Sequence, residues 1–228
     1  MRYFSLFIFL SFIFAAPTFC QTNSPINDFQ IWNESQIIIP LKKSKDKKNE
    51  RVSLIFYGIL RAGKNQESLI DERIGVGFEF HLNKHLTFTP SYIYRAGKTS
   101  DNIKEYESRL RFDVGLEKKF KKFSLKDRSR IEHRFRNSHA DSTRYRNKFQ
   151  LTIPFKKDKK EIFAPFVATE PFYEFQSKHW TRNELTIGIT KTFNPNFSAE
   201  FFYMLQNNRG NTLKYVNIAG INLKIKID

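Results

Sequence analysis

Two sets of residues in this sequence have the types and spacing for chemistry. The first is a nucleophile-and-base set: Ser129 and His133 with Asp127 beside them, and the compact Ser177-Lys178-His179. A serine hydroxyl becomes a nucleophile when a base within hydrogen-bond reach takes its proton, so these types could cleave a lipid ester. Spacing argues against Ser129 and His133. Four strand residues at the usual 3.3–3.4 Å each hold them about 13 Å apart. Ser177-Lys178-His179 falls in a polar, loop-like stretch, and His85 with Thr87 offers no better geometry. Each is read as an interfacial or loop residue rather than a catalyst. His81, His85, His133, His139 and His179 are scattered. They form no HExxH, and neither paired cysteines nor an Asp-rich or phosphate-cradling Gly-rich loop accompanies them, so no metal or cofactor is expected.

The second set is ionic. Arg73, Glu79, Arg95, Glu107, Arg109, Arg111, Asp113, Arg128, Arg130, Glu132, Arg134, Arg144, Arg146, Glu184 and Glu200 all lie on the polar phase of alternating segments. Rings of Arg or Lys around a pore favour anions. The same residues could instead form a paired network that fills a narrow barrel and stiffens it, because unpaired ions in low dielectric cost several kcal/mol each. Both readings stay open.

The stretch from Tyr106 to Phe155 shows which elements must position these side chains. It reads as three long strands with strict two-residue alternation. Tyr106, Ser108, Leu110, Phe112, Val114 and Leu116 share one face, against Glu107, Arg109, Arg111, Asp113 and Gly115. Ile131 and Phe135 oppose Arg128, Arg130, Glu132, Arg134 and Arg136; Tyr145, Phe149, Leu151, Ile153 and Phe155 oppose Arg144, Arg146 and Lys148. Side chains alternate faces along a strand, so each segment has an oily wall and an ionic wall. Each is also long enough to cross a bilayer, which takes about 9–11 tilted residues.

Similar segments recur at Asp28–Leu41, Val52–Arg61, Ile70–Leu82, His85–Ala96, Ile162–Phe175, Trp180–Phe193, Phe197–Asn207 and Leu213–Ile227. That makes about eleven strands, with no sustained helical period. Single-chain bacterial barrels have even numbers, so the expectation is about twelve strands, with ten as the alternative. Tight connections at Asn83-Lys84, Lys118–Lys122, Lys156–Glu161 and Asn194–Asn196 alternate with looser ones at Arg61–Ser68, Gly97–Ile103, Asn137–Ser142, Gln176–His179 and Asn208–Thr212. Short periplasmic turns and longer outer loops are the habit of bacterial barrels. Phenylalanines bracket the tight turns and tyrosines gather near the loops, as interfacial girdles would.

The whole chain has 228 residues, a formal charge of +16 and 25 phenylalanines. Residues 1–20 look like a secretory signal: Arg2, an apolar run from Tyr3 to Ala16, then Pro17 to Cys20, with cleavage expected before Gln21. The mature domain, 21–228, then lacks cysteine, which excludes disulfides and thiol chemistry. A basic balance often marks nucleic-acid proteins. Here the leader and the alternation of charge with apolar residues oppose that partner. No later segment has ~18 consecutive apolar residues, so no helical span is expected.

Alternation is blind to direction: a secreted soluble barrel would carry its oily face inside. Long, numerous strands, aromatics at strand ends and no helix to cover an open edge favour the membrane orientation. The last strand puts Ile221, Leu223, Ile225 and Ile227 on one face, similar to the C-terminal assembly signal of outer-membrane proteins, without its terminal aromatic.

With these residues in view, the chain resembles the DUF2490 family of uncharacterised bacterial outer-membrane barrels. The resemblance rests on Asp28-Phe-Gln-Ile-Trp-Asn-Glu34, Arg109-Leu-Arg-Phe-Asp113, Tyr145-Arg-Asn-Lys-Phe149, Glu170-Pro-Phe-Tyr173 and Tyr215-Val-Asn-Ile218, and covers nearly all the mature chain. It implies an outer-membrane barrel and supplies no activity. The expectation is therefore an all-β, transmembrane, antiparallel up-and-down barrel with an ionic lumen. Outer-membrane lipid, lipopolysaccharide and the barrel-assembly machinery would be its partners. Its role would be a narrow anion-leaning pore or a closed structural barrel. A lipid-modifying barrel enzyme and a secreted ligand-binding barrel are the alternatives.

Overall fold

A computed structural model describes residues 27–43, 50–63, 68–98, 104–158, 160–209 and 214–227. The expected leader, residues 1–20, its cleavage point, the centre of the basic loop (44–49) and parts of three looser connections (64–67, 99–103 and 210–213) lie outside the described residues.

Alternating β-branched and aromatic residues make every described element a strand. These are β1 (Asn27–Lys43), β2 (Glu50–Gly63), β3 (Ser68–His81), β4 (Leu86–Lys98), β5 (Lys104–Lys119), β6 (Ser124–Arg136), β7 (Ser142–Thr152), β8 (Phe155–Lys157), β9 (Lys160–Glu174), β10 (His179–Asn194), β11 (Phe197–Asn208) and β12 (Tyr215–Lys226). No helix occurs among the described residues.

The twelve strands form one sheet, but they are not equivalent. Eleven close into a ring and the three-residue β8 pairs with β9 alone. Every neighbouring pair in the ring is antiparallel except the closing one. There β1 runs parallel to β12, from Asn27↔Tyr215 to Ile38↔Lys226. The even-number expectation assumes that both chain ends sit at one rim. Parallel closure removes that requirement, and the described chain enters at one rim and leaves at the other. The third ionic segment also ends earlier than Phe155. Pro154 has no N–H to give a ladder, so pairing stops at Thr152 and resumes as β8.

Local chemistry sets the connections. Asn83 Oδ1 accepts hydrogen bonds from the His85 and Leu86 amides at 2.8 and 2.9 Å, folding the β3–β4 turn. Asn194 Oδ1 accepts the Asn196 amide at 2.9 Å in the β10–β11 turn. Aromatic rings stack across the tight turns: Phe120 on Phe123 at 4.6 Å, Phe155 on Phe163 at 5.0 Å and Phe193 on Phe197 at 5.2 Å. At the loop rim Tyr94 meets Tyr106, and Tyr173 meets Trp180.

The two faces of the ring differ sharply. The outer wall carries exposed Ile74, Phe112, Ile131, Val167, Ile187 and Phe201, the extreme being Ile74 at 68%. The inner wall from β3 to β7 carries buried ions. From β11 through β12 to β1 it is oily instead: Met204, Val216, Ile218 and Trp32 form a cluster of buried apolar residues, with Phe202 against it. Two inward glycines make room for rings. A Cβ at Gly220 would sit 2.2 Å from the Phe202 ring, and one at Gly188 would sit 2.6 Å from Phe166.

Candidate functional site

Alternation on β5, β6 and β7 brings the ionic residues to one wall, and ring closure supplies partners from β3, β4, β9 and β10. Arg73 holds Asp71 through Nε at 2.7 Å, and Arg95 Nε lies 3.1 Å from the same carboxylate. Glu107 is a hub: Arg109 grips it, Arg136 Nε donates to it at 3.0 Å, and Arg134 and Arg95 each lie 3.8 Å away. Arg130 grips Asp113 with two hydrogen bonds of 2.6 Å. A forked guanidinium on a carboxylate is the strongest form of such a pair.

Longer reaches cross from β6 over β7 to β9. Arg128 Nη2 and Arg146 Nε both donate to Glu170, at 2.8 and 2.9 Å, and Arg134 and Arg144 meet Glu174 at 2.7 and 2.9 Å. Glu132 is 1% exposed and sits between Arg109 and Arg144 at 3.6 and 3.9 Å. Phe172 lies under Arg146 at 4.2 Å, with Arg144 and Arg182 at 5.4 Å, so a ring face adds to the carboxylate that each of these guanidiniums already meets.

Among the described residues, cavities of about 370 Å³ at the loop rim and about 500 Å³ at the turn rim lie in the interior. Trp32, Arg61, Arg73, Arg146 and Glu184 line both. They come from five strands around the ring and form a septum between the cavities. Arg61 stacks on the Trp32 indole at 3.5 Å, and Arg182 approaches Glu184 at 3.8 Å. Beneath the indole, Trp32 Nε1 donates to Gln30 and Gln30 Nε2 donates to Asp28, each at 2.7 Å.

Of the sequence-selected ionic residues, Arg73, Arg95, Glu107, Arg109, Arg111, Asp113, Arg128, Arg130, Glu132, Arg134, Arg144 and Arg146 form this connected wall. Glu184 belongs to the septum. Glu79 stands apart with His81 at 3.1 Å, and Glu200 accepts from Asn222 at 2.8 Å. Sequence reasoning passed over Asp71, Glu170, Glu174, Arg61 and Arg182. On β9 the inward set is Ala164, Phe166, Ala168, Glu170, Phe172 and Glu174, and the outward set mixes Pro165, Thr169 and Pro171 with Val167. Neither face is clearly polar, so alternation could not flag the two glutamates. For Asp71 the signal was present: it lies two residues before Arg73, on the same face.

The nucleophile candidates do not assemble. Ser129 Oγ meets the Tyr145 hydroxyl at 3.1 Å and accepts from Asn147 at 3.2 Å, while His133 meets Thr143 at 2.8 Å. Asn147 also donates to Asp127 at 2.9 Å. His179 Nδ1 donates to the Ser177 carbonyl at 2.7 Å, so its hydrogen bond goes to backbone rather than to the Ser177 hydroxyl. His85 Nδ1 likewise donates to the Glu117 carbonyl at 2.8 Å. No metal-holding cluster occurs among the described residues.

No curated protein and no solved structure matches the chain. The profile of the family described as "Protein of unknown function (DUF2490)" matches residues 29–217, most of the length, and the chain belongs to that family.

Proposed function

We propose that this chain is an integral bacterial outer-membrane barrel whose lumen is shut by its own side chains. The observation that carries this reading is the inverted wall. Large apolar residues circle the outside, with Leu60 at 51% and Ile187 at 56% exposed, while Arg109, Arg111 and Glu132 are buried inside. Soluble monomers rarely expose apolar patches beyond a few hundred Å². A hydrocarbon surround makes such a belt favourable and leaves the closed ladder with no edge to satisfy. Stacked aromatics at both rims agree with interfacial girdles. Lipid and lipopolysaccharide are then the belt's neighbours, and the assembly machinery its route in.

Inside, the septum favours a closed barrel over a diffusion pore. The specific support for the second reading, an anion-leaning pore, is the excess of Arg and Lys over carboxylates along both cavities, which would select anions if the septum moved.

The test has two steps. Fractionation with heat-modifiable gel migration should place the native protein in the outer-membrane fraction. Recovery as a water-soluble monomer would end this reading. Planar-bilayer recording should then show no steady conductance for the wild type, and small anion-preferring steps for Trp32→Ala combined with Arg61→Ala. A wild type that conducts steadily would replace the closed barrel with the pore.

A further inference from the structure

The two cavities treat their cations differently. At the loop rim Arg73, Arg95, Arg109, Arg134, Arg136 and Arg144 each have a carboxylate within 4.0 Å. At the turn rim Lys126 on β6, Lys148 on β7 and Lys224 on β12 line the cavity. Among the described residues none of these three has a carboxylate within the 4.0 Å that defines an ion pair. Lys126, Arg128 and Lys148 are neighbours on one wall, since Lys148 pairs with Arg128, and Lys224 comes from the far side of the ring to line the same cavity. Among the described residues eleven Arg and Lys side chains face six carboxylates along this cavity, and Lys126 and Lys224 are open to solvent inside it.

The same cavity also holds a spare donor further in. Arg111 is 4% exposed and lines the same cavity. Its Nε donates to Ser91 at 3.1 Å and its guanidinium lies over Tyr57, but its buried Nη2 has no hydrogen-bond partner. Arg111 pairs with Glu132, six residues along β5 from the Glu117 that faces Lys126, so this spare donor marks the deep end of the cavity rather than the lysine level.

We propose that the turn-side cavity binds a small, multiply charged oxyanion of the phosphate class, held by Lys126, Lys148, Lys224 and Arg128. Ammonium groups are compact point charges with rotatable donors, which suits a tetrahedral phosphate without demanding one planar geometry. A chamber of about 500 Å³ has room for pyrophosphate or a small phosphomonoester. The inference rests on the closed-barrel reading, because the septum makes this chamber a dead end where an anion is retained.

The test uses the full chain in detergent micelles, folded by the heat-modifiable criterion, titrated calorimetrically with sodium pyrophosphate at low ionic strength. Pyrophosphate should bind, raise the unfolding midpoint, and weaken as sodium chloride is added. Lys126→Gln and Lys224→Gln should each weaken binding by roughly tenfold, the loss of one charge-assisted contact. Lys126→Gln should also raise the midpoint without anion, because it relieves like-charge crowding; a merely structural lysine would lower it. Arg136→Gln, in the other cavity, should change affinity by less than about twofold. Glycerol 3-phosphate binding more tightly than pyrophosphate would identify a lipid headgroup as the source of the phosphate. A folded protein that ignores pyrophosphate at millimolar concentration, or binds it equally well in both lysine variants, overturns the site and leaves the membrane barrel standing. Water-soluble protein with lysine-dependent binding would overturn the membrane reading and keep the site.

Discussion

The inner wall from β3 to β7 and the inner wall from β11 through β12 to β1 stand behind the same kind of outer surface, yet they fill the interior in opposite ways. The first packs guanidinium against carboxylate, as in Arg130 on Asp113 and Arg109 on Glu107. The second packs Trp32, Met204, Val216 and Ile218 as an ordinary oily cluster. Phe112 and Ile131 outside the first match Phe201 and Leu205 outside the second. The outer pattern answers to the surroundings alone. The inner pattern is constrained only by the need for every buried group to find a partner. Burial of apolar surface is non-directional and tolerates rearrangement. A buried ion is stable only with its partner in place, so the ionic wall should be brittle where the oily wall is forgiving.

Substitutions on the two walls can break that contrast, and urea-unfolding midpoints in detergent would measure them. Glu107→Leu should cost most, about 3–5 kcal/mol, because it strips the carboxylate from Arg109 and Arg136 together. A loss below that of the mild oily-wall change would show that the arginines are hydrated rather than paired. Ile218→Ala comes next at about 3 kcal/mol, the usual cost of a cavity at a fully buried aliphatic position. A negligible effect there would mean that the oily wall carries no stability. Met204→Leu should cost least, under about 1.5 kcal/mol, since volume and chemistry are nearly kept. A large loss at Met204 would erase the distinction between the forgiving and the brittle wall.

How much of this was readable beforehand varied with the wall. On β5, β6 and β7 alternation between Phe, Leu or Ile and Arg or Glu is clean, and the strand positions follow from it to within a few residues. On β2 and β12 buried Ile55, Ile59, Val216 and Ile218 face inward while Phe56, Leu60 and Ile225 face out. Both phases are oily there, so the pattern marks a strand without saying which side is the interior. The turn-side lysines were the least legible. Lys126 and Lys148 look like ordinary members of a charged face, and nothing local ties them to Lys224.

Strand positions, the presence of two unlike faces and the absence of a helical period are local properties, since side chains two apart share a face whatever the rest of the chain does. Ring closure decided the rest. Parallel pairing of β1 with β12 set the ring at eleven strands and put Arg128 beside Glu170, 42 residues away. It also placed Lys224 across from Lys126 and raised a septum between two cavities. Those pairings depend on how far each strand slides against its neighbour around the whole circumference, a quantity that no single stretch of sequence contains.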